Sequence, residues 1–131
     1  MELQRGQIPA EWLIEGNPET RSTVIGRSTD GTSYVTLWEC GSVTMDWHYD
    51  RDEAIVILDG EAFLIDKNGF EQRYGPGDVI LFPRGMQTRW RVPNYMRKVA
   101  FLKLNTPLPL AIATKAWNRA ARLLKRSPSG H

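Results

Sequence analysis

Three residues able to do chemistry stand close together at Asp46, His48 and Glu53, within the stretch MDWHYDRDEAIVILDG. Two carboxylates and an imidazole around one point suit a divalent Mn, Fe, Ni or Zn ion. Without a metal, a carboxylate moved out of water holds its proton more tightly and can serve as a general acid or base. In an extended strand, alternate side chains face opposite sides. Asp46 and His48 therefore share one face, and Trp47 and Tyr49 the other. Glu53 follows the turn Asp50-Arg51-Asp52 and opens an apolar run, so it reaches the same space if the Asp46 face is the interior one. The plainer alternative is a histidine hydrogen-bonded or exposed among acids, because the only other histidine is the terminal His131.

The elements that must position these residues are short strands. From Ser22 to Leu104 the chain alternates apolar runs with turn residues, giving expected strands at 22–28, 32–40, 43–49, 53–59, 61–66, 70–74, 78–82, 87–92 and 98–104. Thr29-Asp30-Gly31 and Lys67-Asn68-Gly69 are hairpin turns, and Gly75-Pro76-Gly77 is a tight corner. Many short strands ending in Gly and Pro indicate an all-β sandwich or barrel. Residues 1–21 form an N-terminal arm with a short turn near Ala10-Glu11-Trp12-Leu13, and 22–104 form the β domain. In the extension 105–131, Leu110, Ala113, Trp117, Ala120 and Leu124 recur at three- and four-residue steps, which predicts an amphipathic helix over 110–126.

Composition narrows the classes. The chain has 131 residues, 41% hydrophobic and 24% charged, as expected of one globular domain. A net charge of +2 is too small to indicate nucleic acid. Lone Cys40 excludes an internal disulfide and a multi-cysteine zinc site, which makes the cytoplasm the expected compartment. The N-terminal residues lack the apolar centre of a signal peptide, and no apolar run is long enough to span a bilayer.

Two spacings are informative together: Gly41-x4-Asp46-x-His48-x4-Glu53-x6-Gly60, and Gly77-Asp78-x4-Pro83-x-Gly85-x2-Thr88. They resemble the paired motifs of the cupin superfamily, in which two His, a Glu and a final His converge on one metal. Aligned so, the four positions are Asp46, His48, Glu53 and Thr88, and only the second and third match. Trp38-Glu39-Cys40, Trp47-x-Tyr49-x3-Glu53, Tyr74-Gly75-Pro76-Gly77-Asp78, Phe82-Pro83-x-Gly85, Trp90-x-Val92 and Arg97-Lys98 resemble a small single-domain branch, that with the ureidoglycine aminohydrolase-type cupin domain. The resemblance implies an RmlC-like double-stranded antiparallel β-barrel, or jelly roll; the C-terminal amphipathic α-helix expected from periodicity lies outside its pattern. It further implies a small-molecule enzyme in which Asp46, His48 and Glu53 hold one divalent metal. The reaction implied is hydrolytic release of ammonia from a small nitrogen-containing metabolite. Glu53 or Asp46 would move the proton if no metal is present.

Trp38, Thr88 and Trp90 are expected to line the substrate pocket, with Arg84 near its rim able to pair with an anionic substrate. For Trp90 taken alone a core role is the better explanation, and Cys40 reads as a small buried hydrophobe in preference to a reactive thiol. The rival function is a metabolite-binding or regulatory module without metal or catalysis. The expected assembly is a homodimer. The apolar stripe of 110–126 would pack on the barrel or on a second subunit, in preference to an anionic membrane surface. Nucleic acid is the weakest partner for this basic segment.

Overall fold

The computed structural model describes residues 2–104. Residues 105–131, including the expected C-terminal helix, lie outside them. The described chain is antiparallel β throughout. Its nine strands are β1 (Gln4–Gln7), β2 (Leu13–Glu15), β3 (Glu19–Arg27), β4 (Ser33–His48), β5 (Glu53–Gly60), β6 (Ala62–Ile65), β7 (Glu71–Tyr74), β8 (Val79–Phe82) and β9 (Gln87–Lys103). Both hairpin turns read from the sequence are present. Ser28, Thr32 and the Thr32 N–H all bond the Asp30 carboxylate between β3 and β4, and Asp66 accepts from the Asn68 and Phe70 N–H groups between β6 and β7.

Two expected breaks are not breaks. Segments 32–40 and 43–49 are one strand, β4, and 87–92 and 98–104 are one strand, β9. The two pair along nearly their whole length. The sequence signal at Gly41 and Pro93-Asn94 marks a β-bulge instead. Gly41 pairs with Tyr95 and Val43 with Val92, so Pro93 and Asn94 oppose the single Ser42. A proline with no N–H to donate is tolerated at such a bulge, and the extra residue bends the ladder. The N-terminal arm is likewise part of the sheet: β1 pairs with β3 and β2 with β4, around a single 3-10 turn at Ala10–Trp12.

The strands run in the order β1-β3-β4-β9-β5-β8. Beyond the bulge, β2 lies on the C-terminal half of β4, and β6, followed by β7, on the N-terminal half of β9 that pairs with it. Bending at the bulge brings the two halves face to face, but the ladder does not close into a ring as the barrel expectation supposed. Between the halves lie Met45, Ile55, Ile57, Phe82, Trp90, Val92 and Met96, each no more than 1% exposed. Full burial of one such side chain contributes roughly 1.5–3 kcal/mol. Gly60, at φ 76°, closes the β5–β6 turn; a Cβ there would collide with the Tyr95 carbonyl, so no other residue fits without displacing β9.

Candidate functional site

The bulge decides which side chains reach the interior. Beyond it, β4 turns Val43, Met45 and Tyr49 into the core and packs Trp47 against it, while Asp46 and His48 face outward. Opposite them on β9, Thr88 and Trp90 face in, and Gln87 and Arg89 face out. This corrects the sequence expectation by one residue. A slip of one position in a period-2 strand moves every side chain to the other face. The deciding signal was available in the apolar alternation Val43, Met45, Trp47, Tyr49, which outweighs the motif alignment.

Asp46 consequently meets no imidazole–carboxylate centre. Its two oxygens take hydrogen bonds from Arg89 Nε at 2.9 Å and Nη2 at 3.1 Å. The Arg89 bond holds the Asp46 carboxyl below the usual carboxylate range. His48 is exposed and lies 5.3 Å, centroid to centroid, from the Trp12 ring. Arg84 is also exposed and serves the fold through its backbone N–H, which bonds the Asp52 carboxylate at 2.8 Å.

Glu53 does enter the interior, and its partner there is a residue to which the sequence reading gave no role at the site. Lys98, on β9, places its Nζ 3.4 Å from Glu53 Oε2, with both side chains less than a tenth exposed. The same ammonium lies 4.8 Å from the centre of the Trp38 ring, 5.2 Å from that of Trp47 and 5.6 Å from that of Trp90. Aromatic faces attract a cation, the more so where water is excluded. A cavity of about 140 Å³ opens beside the pair, walled by Trp38, Trp47, Tyr34, Thr36 and Leu102. A second cavity of about 280 Å³ adjoins it through Tyr34, Trp47, Glu53 and Leu102, and carries Trp12, His48 and Arg51 at its outer side. Arg51 is held there by the Asp50 carboxylate and by Tyr34, whose hydroxyl accepts from its Nη1 at 3.0 Å.

Beneath this pocket, the Tyr49 hydroxyl accepts from Trp90 Nε1 at 3.0 Å and from Thr88 Oγ at 3.3 Å, and its ring stacks on Phe82. Burial raises the Tyr49 phenol. Cys40, buried in the same core, is pushed up to about 12 by burial, which makes it an inert thiol.

The family match can now be placed on this geometry. The model of the EutQ-like cupin domain matches residues 27–100. The chain belongs to this cupin family. No curated relative matches it. Among solved structures it is similar to the EutQ protein of Clostridium difficile, at TM-score 0.56 and 20% identity over 66% of this chain and 63% of that one. It is similar to a DUF861-family protein of Pseudomonas syringae, at TM-score 0.69 and 19% identity over 77% of this chain and 44% of that one. It is also similar to the polyketide cyclase RemF of Streptomyces resistomycificus, at 0.55 and 19%, over 67% of each. The chain thus spans less than two thirds of the first two, and at these identities the likeness is one of fold.

With the inward residues known, the cupin ligand spacing falls on Trp47, Tyr49, Glu53 and Thr88. Only Glu53 among them is a strong metal donor, and its carboxylate faces an ammonium. Among the described residues, no three of His, Cys, Asp and Glu are grouped to hold a metal ion. The expected set does not converge: Asp46 is paired with Arg89 on the outer face, exposed His48 borders the adjoining cavity beside Trp12, and Glu53 is paired with Lys98. The described side chains of this pocket do not fit a resident divalent metal.

Proposed function

We propose that the pocket around Lys98 and Glu53 takes a small, planar, nitrogen-containing metabolite and works on it by proton transfer, with the lysine as its cation. The observation that carries this reading is the buried pair at 3.4 Å, walled by three tryptophans and open to a cavity. An ammonium only donates hydrogen bonds and a carboxylate only accepts them. A group with an acceptor and a donor on neighbouring atoms, such as an amide or ureide, complements both at once. Its carbonyl accepts from Lys98, its N–H donates to Glu53, and its plane packs on a tryptophan ring. Specificity follows from the cost of leaving either buried charge unmatched.

Hydrolytic release of ammonia, the reaction implied by resemblance to ureidoglycine aminohydrolase-type cupins, needs only these groups and water. Water adds to the carbon, Glu53 takes its proton, and Lys98 faces the oxygen on which negative charge builds. The C–N bond then breaks and the proton leaves with ammonia. A second reading, a metabolite-binding module, draws on the packed Tyr49, Phe82 and Trp90 rings, which fill the floor with groups that bind rather than transfer protons.

The test is thermal stabilisation and ammonia release with a panel of small amides and ureides. Wild type should be stabilised and should release ammonia, whereas Glu53→Gln should release none. Lys98→Met should neither bind nor react. Stabilisation without ammonia establishes the binding module. Stabilisation by a ligand that survives unchanged in both variants places recognition elsewhere and ends the proposal.

A further inference from the structure

The face of the sheet turned away from the pocket carries an apolar strip that no described residue covers. Leu81, Ala54, Phe101 and Val35 lie side by side across β8, β5, β9 and β4. Val79, Val56, Val99 and Leu37 form the next row. Val79 is 68% exposed, Leu81 65% and Phe101 48%. The row beyond is charged, with Asp59 and Glu39 each beside Arg97, so the strip has a defined edge. Four strands place its ends about 14 Å apart, and its two rows cover a comparable width. That is on the order of 200 Å², well short of the roughly 800 Å² per partner usual in a stable protein–protein interface.

A groove of about 310 Å³ runs from the first row, at Val35, Ala54, Leu81 and Phe101, over the end of the sheet. There residues 32–34, 52–53 and 102–103 line it, and it borders the pocket at Tyr34, Glu53 and Leu102. The chain leaves the sheet at that end, where the Leu104 N–H bonds the Thr32 carbonyl. We infer that residues 110–126 of the same chain dock here. The five residues 105–109 reach at most about 17 Å, which confines the segment's start to this edge. The apolar stripe Leu110, Ala113, Trp117, Ala120 and Leu124 runs about 21 Å along a helix, enough to cross all four strands. Lys115, Arg119, Arg122 and Arg126 fall on the opposite side of that helix and stay in water. Tethering supplies an effective concentration in the millimolar range for short linkers, so a strip too small to hold a free partner suffices for its own tail.

Hydrogen exchange by mass spectrometry on the full chain, with light-scattering mass measured in parallel, tests this. In wild type, amides of 110–126 should exchange at least 10-fold more slowly than an unstructured peptide. Leu81→Asp, at an exposed position of the strip, and Trp117→Asp, within the segment itself, should each abolish that protection without changing the mass. Three results overturn the inference: no protection in wild type, protection that survives both variants, or protection that appears only with anionic vesicles. A fall from dimer to monomer mass in Leu81→Asp also overturns it, by making a second copy the occupant.

Discussion

Two ion pairs of this sheet, on opposite sides of the bulge, behave as opposites. On the outer face Asp46 and Arg89 make a two-pronged contact at 2.9 and 3.1 Å. On the inner face Glu53 and Lys98 stand at 3.4 Å with one contact. Distance alone ranks the outer pair as stronger. Burial reverses the ranking: water screens the outer charges whether or not they are paired, while each inner charge has lost its water and depends on its partner. The residues best placed to coordinate a ligand are thus those with the looser contact: the carboxylate has one hydrogen-bond donor, and the ammonium has that carboxylate and three tryptophan faces.

The largest effect that would sharpen this comparison comes from removing one inner charge. Glu53→Ala or Lys98→Ala should cost about 3–5 kcal/mol in urea denaturation, and the double change Glu53→Leu with Lys98→Met should recover most of it. If Asp46→Ala destabilises as much as Glu53→Ala, the contrast between the faces fails. Next in size is Tyr49→Phe, which leaves the Trp90 and Thr88 donors without their acceptor and should cost about 1–3 kcal/mol by the same measurement.

A smaller effect lies in acid. The Arg89 hydrogen bond lowers the Asp46 pKa from its ordinary value of 3.8. A carboxyl with a folded pKa below its unfolded one stabilises above the unfolded value and loses that contribution as pH falls through the folded one. Thermal melts of wild type and Asp46→Asn should therefore converge below about pH 3.8, and a gap that widens there would contradict the pairing. The smallest effect is expected from His48→Ala. Elemental analysis should find the same Mn, Fe, Ni and Zn content as in wild type, and a stoichiometric metal lost with this imidazole would restore the outward residues to the site.

Much of the fold was legible. Turn residues at Asp30-Gly31 and Asn68-Gly69, and the apolar runs between them, located most strands, and the paired spacings pointed to a cupin. Pro93-Asn94 was misread as the end of a strand because a proline signals a missing donor, and both a loop and a bulge satisfy that signal. The site was half legible. Glu53 was recognised from a carboxylate opening an apolar run, and Thr88, Trp90 and Trp38 do face the interior. Asp46 and His48 were placed inside by motif spacing, although the neighbouring Val-x-Met-x-Trp-x-Tyr alternation points the other way.

Lys98 entered the sequence reading only through the Arg97-Lys98 pair of the family resemblance, with no role attached. Its strand reads Met96, Lys98, Ala100, Leu102 on one face and Arg97, Val99, Phe101, Lys103 on the other, and both faces are apolar enough to be buried. What the sequence by itself determined is the periodicity of the strands and the chemistry of their turns, since both depend on a residue and its near neighbours. What only the tertiary structure decided is which face of each strand is enclosed. That depends on the bend at the bulge and on three tryptophans from two strands closing around one ammonium, contacts between residues far apart in the chain.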